Sequence, residues 1–535
     1  MSFLPLSKRF RDILVGPHAY AATVDVAKAA PPPSPLAPVD LTSEAQVTGV
    51  MEIAARIGGI LIGAGTSNAD VRAQVYLAAA SYGLHYVHVD VLANTITLHT
   101  SIGTGENRRS LHVFRVTPGI DVNFSKLSAV DRLIRSIHSG STPPAMAEHL
   151  LDEIDRMAPP HSLPKTLVSW GIMGAMFATM IGGGVATAII TFFVTASIMG
   201  INHQLSRLRV PTFYQNIVGG LIAVLPAAIA YNLAAHYDIA VEPSQIIGSG
   251  IIVLVAGLTL VQSLIDGITR APVTSAARFF EAMLSTGSLV AGVACGIQVA
   301  EYLGFPLPPL ATVAPPVYYT IAFRILCGGL GCAAFAYACY ASRKESVISG
   351  LTAAAGMVFF YLVMLQLGAG TVVTCFLSAI VVGLAGGLLS RRFFIPPLIT
   401  MITGYIPMLP GLTLYRAMYA TTNDQIITGL SNLLTALAIA GALASGVVLG
   451  ERVARRLRRP KHFRPYSAFK KIGRKSYRLA TARRIPRVPM SPRPPARNMR
   501  SLQDQAITQE FAAQDYDLNE ALNQLDPVYE EPESD

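Results

Sequence analysis

From residue 166 to residue 450 the chain runs through about ten apolar stretches, each long enough to cross a hydrocarbon core. A soluble domain has no interior large enough for so many helices that are apolar all round, so the bilayer is the solvent this chain is built for. The stretches read as 166–182, 185–203, 213–234, 246–265, 279–300, 317–341, 346–365, 370–390, 395–418 and 426–450, with only Gly182, Gly183 and Gly184 between the first two. Composition agrees: 52% of residues are hydrophobic and 14% charged, against about a quarter charged in soluble proteins. The expected class is an all-α polytopic membrane protein.

The connections provide an independent check. Arg207 and Arg209 follow the second stretch, Arg270 and Arg278 the fourth, Arg343 and Lys344 the sixth, Arg391 and Arg392 the eighth, and a basic run the tenth. The intervening loops carry no Lys or Arg, apart from Arg416 near the end of the ninth stretch. Cytoplasmic loops hold the positive charge, so this alternation predicts a multi-pass plasma-membrane protein with both termini cytoplasmic. The formal charge of +10 is a property of the tail, because residues 452–500 hold 18 Lys/Arg and no acid while 504–535 hold ten acids and no base. That pattern excludes a nucleic-acid-binding fold and points the basic half toward anionic lipid. The tail, 451–535, is expected to be disordered, basic and then acidic.

Before the apolar region the chain has two parts. Residues 1–40 read as a disordered leader ending in a proline-rich spacer; Pro17, His18 and Asp25 interrupt what would have to be the apolar core of a signal peptide. Residues 41–163 read as a small cytoplasmic α+β domain. Val47, Val50, Met51, Ala54, Ile57 and Leu61 recur at helical spacing, and a second helix follows Asn68. The period then changes to two: Val87, Val89 and Val91 alternate with His88 and Asp90, and Ile96 and Leu98 with Thr95, Thr97 and His99, across an Ala93-Asn94 turn. A third strand over 111–116 and helices over 126–139 and 144–157 complete it. The five cysteines lie in apolar runs without CxxC spacing, which suggests neither disulfides nor a zinc site.

An internal repeat organises the apolar region. Residues 256–262 (AGLTLVQ) in the fourth stretch parallel 410–416 (PGLTLYR) in the ninth, at an offset of 154 residues. Five spans separate the copies, so the second is inverted in the membrane, a plan that secondary transporters use with substrate held at interrupted helices near the midplane. The two halves are 164–303 and 304–450. Pro407 and Pro410 break the ninth span, and the freed carbonyls and amides there suit a zwitterion. Candidate substrate-binding residues are therefore Thr259, Gln262, Pro407, Pro410, Gly411, Thr413 and Tyr415.

Ionisable groups in hydrocarbon are functional candidates by default. Asp266 shares a helix face with Thr259 and Gln262, and with Glu281 it is a candidate for proton coupling. The plainer reading of Asp266 is an interfacial span end paired with Arg270 at i+4, and Glu281 has Arg278 nearby. Arg324, inside the sixth stretch, needs a carboxylate, a carbonyl or a substrate carboxyl, or snorkels to the interface. Asn216 and Asn232 flank the third stretch. In the N-terminal domain His88 and His99, with His112 near them, are weak metal candidates against the ordinary reading of a polar solvent face. Ser67 reads as an N-cap rather than a nucleophile.

Three stretches carry a family resemblance: 84–100 (LHYVHVDVLANTITLHT), 257–293 (GLTLVQSLIDGITRAPVTSAARFFEAMLSTGSLVAGV) and 404–415 (GYIPMLPGLTLY). On these the chain resembles the threonine/serine exporter family in its fused two-half form. The resemblance implies a cytoplasmic N-terminal domain, ten helices in two halves, and export of threonine or serine driven by the proton gradient, with no other cofactor. It extends from about residue 47 to residue 450, and leaves the leader and tail outside. Ala256 stands where the family pattern begins its fourth-span motif with proline.

The expected function is secondary transport of a small amino acid by proton antiport, from a monomer or a homo-oligomer. Export of dicarboxylates or other small metabolites is the nearest alternative, since related two-chain systems are linked to dicarboxylates. A hydrolase tethered through the N-terminal domain, or a passive channel, would be a different class.

Overall fold

The computed structural model describes residues 39–103, 108–117, 122–237, 241–254, 256–307, 318–422 and 425–457. The described residues all lie in one unit, within Met1–Phe463. The leader with its proline-rich spacer, and the tail beyond residue 457 with its basic and acidic halves, lie outside the described residues.

The first elements are α1 (Glu44–Gly63) and α2 (Asn68–Ser81), then an antiparallel sheet of β1 (His88–Leu92), β2 (Thr95–Ile102) and β3 (Arg109–Val116) in the order β1-β2-β3, then α3 (Phe124–His138) and α4 (Pro144–Asp155). Ser67 is the N-cap of α2, its side chain accepting from the Asp70 amide. The β1–β2 turn is tight enough to hold Ala93 at φ 47°. Alternation decides which face of the sheet is buried: Val89, Val91, Ile96 and Leu98 join Val47, Met51 and Ile57 in one core.

Twelve helices follow: α5 (Leu163–Ile181), α6 (Val185–Arg207), α7 (Thr212–His236), α8 (Pro243–Val253), α9 (Ala256–Ile268), α10 (Pro272–Tyr302), α11 (Tyr318–Ala338), α12 (Arg343–Leu367), α13 (Thr371–Phe393), α14 (Pro397–Tyr405), α15 (Gly411–Thr422) and α16 (Ile426–Leu457). A 3-10 turn, Ile406–Met408, joins α14 to α15. Among the described residues eight helices are long and apolar enough to cross a membrane: α1, α6, α7, α10, α11, α12, α13 and α16. The bent pair α8–α9, broken by 47°, makes a ninth.

This differs from the sequence reading in two places. The stretch 166–182 is a helix, α5, but falls outside that set. The stretch 246–265 is two helices, α8 and α9, rather than one, whereas 395–418 is interrupted at Pro407 and Pro410 as its prolines predict. Conversely α1 qualifies by composition, yet 61% of its apolar window is buried inside the protein, more than for any of the other seven. It is apolar because it packs on the sheet and on α2, α3 and α4. Large apolar side chains of the later helices, such as Phe193, Phe280, Leu351 and Ile427, are exposed, as lipid-facing positions are.

The helix contacts recur along the chain. α5 packs on α6 as α11 packs on α12, α7 on α10 as α13 on α16, and α9 on α10 as α15 on α16. The backbones of α7 and α10 approach so closely that a Cβ on Gly292 would run into the Ile217 carbonyl; on α13 and α16, one on Gly450 would run into the Ile380 carbonyl.

The α1–α4 segment touches the helices at a defined set of connections. The Phe124 amide donates to the Cys339 carbonyl at 2.9 Å. Ser128 Oγ donates to Glu345 at 2.6 Å, and Arg135 to the Phe394 carbonyl at 3.0 Å. Arg455 reaches Asp70 at 2.6 Å.

Candidate functional site

The site is built where the start of α2 meets the end of α9. Asp266 is fully buried, and one carboxylate oxygen accepts from the Asn68 backbone amide at 3.0 Å while the other accepts from Arg278 Nη1 at 2.5 Å. A carboxylate at the first turn of α2 also meets the positive end of that helix. Asn68 in turn donates through Nδ2 to the Val91 carbonyl at 3.1 Å and to Thr274 Oγ1 at 2.5 Å, and Thr274 accepts from the Ala93 amide at 3.0 Å. Thus Asp266 pairs with Arg278, not with Arg270. The chain reverses at Arg270, whose φ is 69°, and α10 returns along α9 to bring residue 278 alongside. Spacing rules within one helix do not reach that partner.

Beside this network lies a cavity of about 450 Å³ between the start of α2, α9, α14 and α16. Its lining includes Gln262, Arg278 and Tyr405, which are 4%, 3% and 1% exposed. Gln262 Nε2, Arg278 Nη2 and Tyr405 Oη are all buried without a hydrogen-bond partner. Leaving a buried polar group unpaired costs about 1–3 kcal/mol, more for a charged one, so three such residues around one cavity mark it as a candidate binding site. Across the cavity Asp70 and Glu451 present carboxylates, both paired with Arg455. The lining also includes Arg270, Arg452 and Arg455, so cationic and anionic groups both border the cavity.

A second cavity, of about 700 Å³, lies on the other side of Gln262, which lines both. Here the structure brings together Thr259, Gln262 and Glu281, with Asn216, Ser285 and His203. Glu281 is exposed to it, and Asn216 Nδ2 donates to Ser285 Oγ at 2.7 Å.

The predicted residues of the ninth stretch are placed differently. Pro407 lies in the 3-10 turn, Pro410 precedes α15, and Gly411, Thr413 and Tyr415 follow on α15. The two breaks touch: a Cβ on Gly257 would sit 3.7 Å from Leu409, and one on Gly411 would sit 2.5 Å from Ile252. Pro407, Pro410, Gly411 and Thr413 line neither cavity. They shape the crossing, and Tyr405 just before it supplies the polar atom. Sequence reasoning missed Arg278 and Tyr405 as site residues: Arg278 was counted as a loop charge, and Tyr405 sat unremarked in a quoted motif. Glu451 and Arg455 fell at the supposed boundary with the tail, whereas α16 continues to Leu457.

His88, His99 and His112 stand in register across the three strands, all exposed, with His99 Nε2 2.6 Å from Ser110 Oγ. Among the described residues no group of three or more His, Cys, Asp or Glu side chains could hold a metal ion.

Apolar helices that enclose polar cavities of this size define a membrane transport protein for small solutes. The family profile described as "Putative threonine/serine exporter" matches residues 52–300, and that described as "Threonine/Serine exporter, ThrE" matches 324–453. The "Threonine/serine exporter" of Corynebacterium glutamicum is 53% identical over 456 residues, covering 85% of this chain and 93% of the relative. The "Probable threonine/serine exporter" of Mycobacterium tuberculosis is 31% identical over 432 residues, 76% of this chain and 77% of the relative. No solved structure matches. The chain belongs to the threonine/serine exporter family, and is a transporter rather than an enzyme.

Proposed function

We propose that this protein exports small hydrophilic amino acids, threonine and serine foremost, by proton antiport, and that the cavity beside Arg278 binds the substrate. The observation that carries this reading is the convergence of three buried, unpartnered polar atoms, Gln262 Nε2, Arg278 Nη2 and Tyr405 Oη, on one cavity. They are suited to a carboxylate, with Arg278 held in place by Asp266, and Asp70 and Glu451 are suited to the ammonium group. The names of the curated relatives agree on the substrate.

Of the two carboxylates predicted to couple protons, Glu281 is the one we assign. It opens on the second cavity, while Asp266 is sealed between Asn68 and Arg278. Gln262 stands between the cavities and relates substrate occupancy to the proton site. No cofactor beyond the proton gradient enters this reading.

The architecture that accompanies it is ten spans in two inverted halves, with the α1–α4 segment as a cytoplasmic α+β domain. The recurring helix contacts support the repeat. Orientation is supported by where that segment docks: at Asp266 and Thr274, at Cys339 and Glu345, at Phe394 and at Arg455. These are the connections rich in Lys and Arg, so the domain lies on the side that the charge rule makes cytoplasmic.

The test is efflux of labelled threonine from preloaded cells carrying the unaltered protein, Arg278→Lys, Glu281→Gln or no exporter, with and without a protonophore. Efflux should depend on the protein and the gradient. Arg278→Lys should weaken it by about tenfold through a higher half-saturating concentration, as loss of a charge-assisted hydrogen bond does. Glu281→Gln should abolish its response to the protonophore. Efflux indifferent to Arg278→Lys sinks the assignment of the cavity, and persistent gradient dependence in Glu281→Gln sinks that of the proton site.

A further inference from the structure

The proposed substrate cavity lies at the α9 end of the broken span α8–α9. The opposite end, the start of α8, carries a second buried polar cluster that the reading above does not use. Arg324 is half-buried in α11, within a stretch apolar enough to cross the membrane. A guanidinium there persists only with partners for its five donors. Tyr361 lies close enough to interact with it electrostatically, and among the described residues no carboxylate forms an ion pair with it.

What surrounds Arg324 is polar and tightly closed. The loop between α5 and α6 passes over it through Gly182, whose φ of 118° is a left-handed conformation; a Cβ there would stand 3.3 Å from Arg324 Nη2. At the next residue, Gly183, a Cβ would stand 2.8 Å from Gln245 Oε1 and 3.0 Å from Thr187 Cγ2. Gln245 Oε1 and Thr187 Oγ1 are buried without a hydrogen-bond partner, and Thr187 is 0% exposed. One turn along α8 from Gln245, Ser249 is also 0% exposed with an unpartnered hydroxyl. The cluster thus holds one cation, one amide acceptor and three hydroxyls, those of Thr187, Ser249 and Tyr361.

We propose that these residues form an outer subsite for the exported amino acid: Arg324 and Tyr361 take its carboxylate, and Gln245 Oε1 and Thr187 Oγ1 take its ammonium group. The inference rests on the exporter reading and adds to it. An arginine with a glutamine one helix away stands at each end of the same broken span, Arg278 with Gln262 and Arg324 with Gln245. Seventeen residues separate the two glutamines, about 25 Å of helix, so one small substrate cannot touch both. The break between them divides an inner binding step from an outer one.

The experiment compares the two faces of the full-length protein. Threonine exchange is measured at the outer face in intact cells preloaded with unlabelled threonine, and at the inner face in inside-out membrane vesicles. Arg324→Gln should raise the half-saturating threonine concentration at the outer face by about tenfold or more and leave the inner-face value unchanged. Threonine methyl ester, which lacks the carboxylate, should compete poorly at the outer face of the unaltered protein and as well as threonine in Arg324→Gln. Equal changes at both faces, no change at the outer face, or retained discrimination against the ester would overturn the subsite. If Arg324→Gln does not reach the membrane, Thr187→Val and Gln245→Leu carry the same expectation at the outer face, and their indifference is equally decisive against it. An unaltered protein that exchanges no threonine at either face removes the exporter reading, and the subsite with it.

Discussion

The two broken spans reach the same interruption by different means. In the ninth apolar stretch the cause is local: Pro407 and Pro410 lack amide donors, and the chain passes from α14 through a 3-10 turn and an extended Leu409, ψ 140°, into α15. The fourth stretch has no proline, yet α8 ends at Val253, α9 begins at Ala256, and the axis turns by 47°. Its break is held from outside. Leu409 packs against Gly257, Ile252 fills the space before Gly411, and the far end of α9 is pinned through Asp266 to Asn68 and Arg278. A helix can therefore be broken by its own sequence or by what it packs against, and only the first cause is written where the break occurs.

The largest effect that would test this contrast is at the pin. Arg278→Ala leaves the fully buried Asp266 carboxylate without its ion-pair partner, a loss of about 3–5 kcal/mol, to be read as lower membrane abundance and thermal stability. Asp266→Asn with Arg278→Gln, which removes both charges, should recover the folded protein without recovering efflux. At the equivalent place α15 carries Ala420, so the ninth stretch has no such dependence. A single variant as stable as the unaltered protein would break the idea that α9 is pinned.

A smaller difference is expected at the crossing. Gly411→Ala drives a Cβ into Ile252 and should cost about 1–3 kcal/mol, whereas Gly257→Ala meets Leu409 at ordinary contact distance and should stay within about 0.5 kcal/mol. Equal sensitivity at the two glycines in detergent-melting measurements would erase the asymmetry.

The smallest effect is the most discriminating. Ala256→Pro places proline at the first residue of α9, where its missing donor is not needed, and should change stability by less than about 1 kcal/mol. Were the fourth stretch one continuous helix, the same substitution would cost about 3 kcal/mol or more.

Much of the fold was legible in the residues. The periods of 47–61, 87–91 and 95–99 yielded α1 and the hairpin with its register, because alternation reports which face is covered. The ten apolar stretches each became helix, with the errors confined to whether a helix crosses or is broken. Hydropathy measures composition and cannot by itself tell a span from a core helix: α1 is as apolar as a span because it is the centre of a protein core. The site was half legible. Thr259 and Gln262, read as polar groups on one helix face, and Glu281, read as an ionisable group at the start of the fifth stretch, do line one cavity. Arg278 and Tyr405 were not, since an arginine after an apolar stretch reads as a loop charge and a tyrosine beside prolines reads as packing.

By itself, then, the sequence determined the solvent this protein lives in, the order and periodicity of its helices and strands, and the proline break at residues 407–410, all of which depend on neighbours along the chain. The tertiary structure decided that Asp266 belongs to Arg278 and Asn68, that the fourth stretch bends without proline, and that Gln262, Arg278 and Tyr405, each with an unpaired buried polar atom, line one cavity. Those outcomes depend on which surfaces touch across separations such as the 198 residues between Asn68 and Asp266, and a buried charge or unpaired donor acquires its meaning only from the groups that close around it.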